Sequence, residues 1–397
     1  MRSSFVWFRA IVCLATALMM GISWPLWISG GAFPRVPFVP GLREIPVWAS
    51  WVRFTITILA MIAASLGIMP RRWLGCALIL SLWMVLEDQF RLQPWMYQFL
   101  VMGFAIAVCS AFQASSLCRL FVIAMYFHSG VSKLDHAFLH ETGYQFLSTA
   151  SHWMGQDVSR WHPVATQAAI FMMPVWEIAV ALALALRWNR LGVAGAIAQH
   201  LALLGILGPW GLSHSLNVLL WNAALIPEVA ILFFGRRIEE PAHRSPITPL
   251  AKIVVIAAAV LPFGEPFGYW DTWPSFGLYT SANERVSLEI LRDEIEEWPK
   301  DIQQNIDLNP RDPIWVPIDL RLWSLRERRV PLYPSPRAMI GVAEAISARY
   351  GGPRAIRAVV LGRADRWNGS RTRIELLGRD AIHRHGDLFR LNAHPVL

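Results

Sequence analysis

Charge is what this sequence has least of. Asp, Glu, Lys and Arg make up 16% of the chain against 55% apolar residues, with a mean hydropathy of +0.39. Soluble domains carry about 25% charged residues, so an ordinary soluble enzyme is excluded as the first expectation. Cysteine is also scarce: Cys13, Cys76, Cys109 and Cys118 lie in or beside apolar runs, without CxxC spacing or clustering with histidine. Neither a disulfide framework nor a zinc site follows from them. Nothing interleaves aromatic and basic residues as a nucleic-acid reader does. The formal charge of +8 and pI near 9.7 are therefore assigned to arginines at membrane edges, and nucleic acid is not an expected partner. There is no internal repeat and no pair of broken helices, which disfavours a secondary transporter.

What is present is a succession of long apolar runs. A bilayer core of about 30 Å needs roughly 20 apolar residues per helix. About nine spans can be drawn on that basis: 9–28, 47–69, 73–88, 95–113, 117–134, 164–186, 190–208, 213–234 and 249–263. The expected fold is mainly α: a polytopic helical membrane bundle over 1–265, an aromatic membrane-exit segment over 266–282 and a small soluble α+β domain over 283–397. Ala15-Thr16-Ala17 has the form of a signal-peptidase site, but cleavage there would cut the apolar run that continues to Ile28, so an uncleaved first helix is expected. Arg71, Arg72, Arg119, Arg187, Arg190, Arg236, Arg237 and Arg244 fall on one side with Arg2, and the opposite loops hold fewer, such as Arg35, Arg43, Arg91 and Arg160. The positive-inside rule then predicts a cytoplasmic amino terminus and a C-terminal domain outside, periplasmic or luminal.

The outward loop from Asp135 to Pro163 is rich in His, Trp and Ser and reads as an ordered cap. The first outward loop, with Pro34, Pro37, Pro40 and Pro46, should be extended. In the tail, RVSLEI and PIWVPIDLRLW alternate as strands do, IGVAEAISARYG reads as a short helix closed by glycine, and IRAVVLGRA and RTRIELLGR read as further strands. Asn368-Gly369-Ser370 is a glycosylation sequon, a three-residue pattern of little weight.

The fifth run ends in YFHSGVSKLDHAFL, where an apolar stretch meets a lysine, an aspartate and two histidines. Helical spacing puts Tyr126, Ser129, Gly130 and Lys133 along one stripe, with His128, Ser132 and Asp135 along its neighbour. A lysine desolvated at that depth is disfavoured as ammonium, and a neutral amine can act as a base. The plainer alternative is that Lys133 snorkels to the outer interface with Asp135 as its salt-bridge partner.

Tyr126-Phe127, Gly130-Val131 and Lys133-Leu134-Asp135 resemble the YFxxGVxKLD segment of the vitamin K-dependent gamma-carboxylase family. More loosely, Pro174, Glu177, Arg187, Arg190, Gly192 and His200 resemble the pattern of the horizontally transferred transmembrane (HTTM) domain, so the likeness covers roughly residues 1–280. The resemblance implies that Lys133 deprotonates vitamin K hydroquinone. Oxygen then converts the anion to an alkoxide base, a glutamate γ-proton is removed and carbon dioxide traps the carbanion. A dry membrane pocket suits that chemistry. Two departures are visible. The family's supporting histidine lies upstream of the lysine segment, whereas the first histidine here is His128. In the corresponding stretch the polar residues are Glu87, Asp88, Gln89, Gln93 and Gln98, suited to a polar head group rather than to that role. The tail is also much shorter than the carboxylase's propeptide-binding portion.

Glu177 lies inside the sixth run, where an unpaired carboxylate costs several kcal/mol, so it should face the bundle interior with Arg53 or His200 as partner. His200 falls in the seventh run, and His214 and Asn217 near the outer end of the eighth extend the same candidate cavity; each also fits a purely structural role in helix packing. His136, His140, His152 and His162 lack the HExxH arrangement, so no metal is expected. The aromatic run GYWDTWPSFGLY fits an interfacial belt or the roof of a cavity. Two functions remain open. One is a quinol-binding, carboxylase-like membrane protein using Lys133 as base, with Tyr126, His128, Ser129, Gly130, Asp135, Glu177, His200, His214 and Asn217 around the substrate. The other is a non-catalytic scaffold or lipid-binding protein whose tail binds a protein or peptide partner.

Overall fold

A computed structural model describes residues 2–234, 248–280, 282–307, 312–350 and 356–396. The helices are α1 (Arg2–Ile22), α2 (Trp24–Trp27), α3 (Val47–Ser65), α4 (Pro70–Glu87), α5 (Pro94–Val108), α6 (Ala111–Val131), α7 (His136–His140), α8 (Thr142–His152), α9 (Pro163–Ala185), α10 (Asn189–Leu207), α11 (Leu216–Phe234) and α12 (Pro249–Val260). Beyond them come β1 (Arg285–Leu291), α13 (Lys300–Gln303), β2 (Trp315–Ile318), α14 (Leu320–Arg328), α15 (Pro336–Tyr350), β3 (Ile356–Leu361), β4 (Arg373–Leu377) and α16 (Arg379–Gly386).

Among the described residues, seven helices are long and apolar enough to cross a membrane: Ser4–Ile22, Val47–Ser65, Ala111–Val131, Pro163–Ala185, Asn189–Leu207, Leu216–Phe234 and Pro249–Phe267. The chain is thus a multi-pass membrane protein by length and composition, and seven of the nine expected spans are among these helices. The third and fourth expected spans do form helices, α4 and α5. However, α4 carries Arg71, Arg72 and Glu87 at its ends, and α5 has only 15 residues, about 22 Å of rise against a core of about 30 Å.

Small residues let the helices approach closely. A Cβ on Gly130 of α6 would meet Ile178 Cγ1 at 2.7 Å and the Pro174 carbonyl at 2.8 Å, and one on Gly195 of α10 would meet Val180 Cγ2 at 2.9 Å, so α9 is clasped from both sides. The loop from Asp135 to Pro163 is ordered as expected, folding into α7, α8 and a short 3₁₀ turn.

The tail is an antiparallel sheet in the order β2-β1-β3-β4. α15 packs against β1 and β3, and α16 against α15 and β4. Three expected strand positions appear in register. The segment PIWVPIDLRLW is a strand only to Ile318, because the Asp319 side chain accepts hydrogen bonds from the Arg321 and Leu322 amides and starts α14. Gly351, expected to close the helix now seen as α15, and Arg236, Arg237 and Arg244 of the expected inner loop lie outside the described residues.

One apolar core continues from the bundle, through Met61, Phe99 and Phe121, into the sheet at Leu288, Ile290 and Ile356. Buried charge pairs pin the two parts together. Arg328 sits 4.4 Å from the Phe33 ring and 5.1 Å from the Phe90 ring, donates to the Phe33 and Pro34 carbonyls, and lies 3.0 Å from Asp88 Oδ2. Burial pulls its guanidinium down to about 10, still charged near pH 7. Arg337 grips Asp271 at 2.9 and 2.5 Å and donates to Gln89 Oε1, while Arg363 grips Glu265 at 2.6 and 2.8 Å. Arg91, expected as a loop charge, is instead fully buried, bonded to Glu87 at 2.9 Å and to the Leu26 and Met84 carbonyls. Arg328→Ala should cost about 3–5 kcal/mol, because it strands Asp88 in the core. Asp88→Asn in the same background should restore part of that, read as a non-additive cycle of thermal unfolding in detergent.

Candidate functional site

The site lies where α6 ends. Lys133 lies just past the Ser132 cap of α6; its amide donates to the Gly130 carbonyl at 3.1 Å and its side chain turns inward, 3% exposed. Its Nζ donates to the Ser129 carbonyl (2.9 Å), to Ser129 Oγ (2.8 Å) and to Glu177 Oε2 (2.8 Å). An ammonium has three donors, and all three are used. This is neither the snorkelling lysine nor the pair with Asp135 that the local sequence suggested. Asp135 instead caps α7 by accepting from the Phe138 amide at 2.7 Å and accepts from Thr280 Oγ1 at 3.4 Å. Burial pushes its carboxyl above the usual range, with the Phe138 amide pulling back.

Glu177 takes Lys133 rather than either partner expected for it. Arg53 is committed to Glu87 through a bidentate pair at 2.5 and 2.6 Å. His200 belongs to a separate chain of bonds: its Nδ1 meets Asn222 Oδ1 at 2.9 Å and its Nε2 meets the Tyr126 hydroxyl at 2.6 Å. Asn222 Nδ2 donates to the Val218 carbonyl, which leaves its oxygen for His200. For a neutral imidazole the network assigns the proton to Nδ1, and Nε2 then accepts from the Tyr126 hydroxyl.

These two systems line one partly enclosed cavity of about 40 Å³, room for a few waters. Tyr126, Ser129, Lys133, Glu177 and His200 contribute to it from the expected set. Gln199, Trp221, Asn222, Leu278 and Tyr279 are additional polar and roofing groups, and Met125, Phe146, Leu203 and Leu225 complete the wall. Burial, then the Glu177 carboxylate, pushes the Tyr279 phenol well above its ordinary value, so it remains a donor facing the site. Of the aromatic exit segment, its Leu278 and Tyr279 line the cavity, while Phe276 packs on Tyr97 and Phe121 and Trp273 on Tyr333. The tail reaches the same end of α6, with Arg366 Nε donating to the Leu134 carbonyl and the His136 amide donating to the Arg366 carbonyl, each at 2.9 Å.

The remaining expected residues sit elsewhere. His128 is on the other face of α6, bonded through Nε2 to the Ala259 carbonyl at 2.8 Å and edge-on to Phe263. Gly130 clears space for α9 rather than for a ligand. His214 stands 5.8 Å from the Tyr279 ring, outside the lining, and burial holds its imidazole below the ordinary value. Asn217 is 1% exposed, with neither amide atom partnered among the described residues, and is not part of the wall. His136 and His140 stack at 3.9 Å, and His140 Nδ1 is held by the His136 carbonyl.

Of the polar residues between 87 and 98, Glu87, Asp88 and Gln89 serve as ties within the fold. Gln98 joins a second polar group: it accepts from Trp221 Nε1 at 2.7 Å and donates to Glu228 Oε2 at 2.5 Å. Glu228 and Asn222 were missed, although a carboxylate and an amide within an apolar run are themselves the signal. Tyr279 carried no such signal, since only the fold brings it to Glu177. Comparison with protein-family models, with curated proteins and with solved structures finds no match for this chain.

Removing one partner from a buried pair leaves an uncompensated charge. Glu177→Gln should destabilise the chain by about 3–5 kcal/mol, whereas Lys133→Met with Glu177→Leu should recover most of it. Thermal unfolding in detergent micelles measures both, and a loss below about 1 kcal/mol for Glu177→Gln would mean that the pair is solvated.

Proposed function

We propose that this chain is an integral membrane protein of the HTTM, or gamma-carboxylase-like, kind, whose cavity beneath Tyr279, about 40 Å³ as it stands, widens by side-chain movement to take the head group of a lipophilic quinol or related lipid. The observation that carries this reading is the convergence of Lys133, Glu177, Tyr126 and His200, from three different helices and the residue just past the cap of one of them, on a single cavity. A hydroxylated head group there meets charge, a phenol and an imidazole relay, while Phe146, Leu203, Leu225 and Leu278 supply apolar wall for a ring or chain.

For Lys133 to act as a base it must first give up a proton. Its 2.8 Å bond to Glu177 offers the route: transfer to the carboxylate leaves an amine and a carboxylic acid, both neutral. The amine then takes a proton from the quinol hydroxyl, and the dry wall protects the resulting anion from water. The orientation that belongs to this reading has the amino terminus cytoplasmic and the C-terminal domain periplasmic or luminal, where that domain is also the place for a protein or peptide partner.

A second reading, a non-catalytic scaffold or lipid-binding protein, is favoured by the complete use of Lys133's donors and by the absence of any histidine before His128. Quinol-dependent oxygen uptake with epoxide detection, in membranes holding the intact chain and Lys133→Ala, separates the two. Catalysis predicts uptake by the intact chain and at least a hundredfold less in the variant. No uptake from any quinol by folded protein removes the catalytic reading, and a quinone or lipid that co-purifies with the intact chain but not with Tyr126→Phe/His200→Ala then supports the binding one.

A further inference from the structure

At the far side of the sheet, three side chains close on one another outside everything described above. Glu344 lies on α15, 3% exposed, in a position that would otherwise leave a carboxylate buried without a cation. Among the described residues its partners are two imidazoles: His383 Nδ1, from α16, at 2.7 Å from Oε1, and His394 Nδ1, from the C-terminal segment, at 2.9 Å from Oε2. The candidate ligand atoms of the three residues all lie within 4.8 Å of one another. The other nitrogen of His394, Nε2, lies 3.2 Å from Asp387 Oδ1.

That last contact decides how the cluster reads. His394 has a carboxylate against each ring nitrogen, but a neutral imidazole has only one N–H. If Nε2 donates to Asp387, Nδ1 faces the Glu344 oxygen either with a second proton, as an imidazolium, or with a lone pair turned to a cation that the two share. A carboxylate behind a histidine, fixing its tautomer and turning the other nitrogen toward a cation, is the usual second layer of a metal site. The backbone of His394 is also held independently of any cation. Asn392 Nδ2 donates to the His394 carbonyl at 2.9 Å, the His394 amide donates to Asn392 Oδ1 at 3.2 Å, and Asn392 Nδ2 also reaches the Pro37 carbonyl. A Cβ on Gly386 would stand 3.0 Å from His394 Cε1, so the glycine makes room for the ring.

We propose that Glu344, His383 and His394 bind one zinc-class divalent cation, with Asp387 orienting His394. Two imidazole nitrogens and one carboxylate are the donor set of open zinc sites and suit a borderline cation better than magnesium, which demands oxygen ligands. Ligand atoms around a tetrahedral zinc ion stand roughly 3.3 Å apart, so each imidazole has to withdraw by roughly half an ångström to admit it. His383 is half exposed, which leaves the solvent side free for a water as fourth ligand. The cation joins α15, α16 and the C-terminal segment, and it is independent of the membrane cavity. The expectation of no metal rested on His136, His140, His152 and His162, a set that did not include these residues.

The test uses the full chain in detergent, stripped with a chelator and returned to metal-free buffer. Calorimetric titration should give one Zn²⁺ per chain, Co²⁺ should develop the visible absorption of a tetrahedral site, and Mg²⁺ should leave both the heat and the melting temperature unchanged. His383→Ala, at a half-exposed position that should fold normally by circular dichroism, and His394→Ala should each abolish the cobalt spectrum and weaken Zn²⁺ binding by more than a hundredfold. Asp387→Asn should keep one cation per chain and weaken it by about 10–100-fold. No Zn²⁺ binding by the folded intact chain would overturn the proposal, as would binding unchanged in His383→Ala or a melting shift with Mg²⁺ equal to that with Zn²⁺.

Discussion

The Lys133 ammonium and the Glu177 carboxylate stand 2.8 Å apart where α6 lies against α9, and each is there because the other is. Either alone would be an unpaired charge in the bundle interior, at a cost of several kcal/mol. The pair needs close helices, which is why the position three residues before the lysine is glycine: a side chain there would collide with Ile178 and Pro174. Ser129, one turn back, accepts the two remaining ammonium hydrogens. The geometry of the cavity follows from this contact, since it sets the separation of the helices that bear Tyr126 and Glu177.

The same solution, charge paired with charge out of water, recurs wherever the chain carries ions inward. Glu87 is shared by Arg53 and Arg91; Asp88 faces Arg328; Asp271 and Glu265 hold Arg337 and Arg363. The Asp88, Asp271 and Glu265 pairs join the membrane helices and their loops to the C-terminal domain. Because Glu265 and Asp271 flank the turn that leads into the exit segment, they also help to place Tyr279 over the cavity. An interaction that looks purely structural at one end therefore fixes the roof of a candidate binding site at the other.

Much of this was legible in the linear pattern. The long apolar runs predicted membrane helices, and Pro-rich 34–46 predicted an extended loop. Period-two alternation in RVSLEI, IRAVVLGRA and RTRIELLGR marked β1, β3 and β4. Helical spacing put Tyr126, Ser129 and Lys133 on one stripe, and these do line one cavity. The reading failed where the answer depended on a distant partner. Asp135 is two residues from Lys133, and sequence proximity suggested a pair, but the chain turns between them and Asp135 caps the next helix. His128, one turn from its neighbours on the stripe, faces α12 instead. Arg91 looked like a loop charge because nothing local reveals that Glu87, three carbonyls and the closing of the first loop bury it.

What the sequence by itself determined is the kind of molecule: a chain too apolar for water, helical across much of its length, with a small antiparallel sheet at its end and a cation placed at the end of an apolar helix. These follow from composition and from periods of two and 3.6 residues, which depend only on local backbone geometry. Tertiary structure alone decided which ions meet. Lys133 chose Glu177, 44 residues away; Arg328 chose Asp88; Glu344 chose His383 and His394. Electrostatic attraction acts through space at a few ångströms, and sequence separation carries almost no information about that distance until helix packing has fixed it.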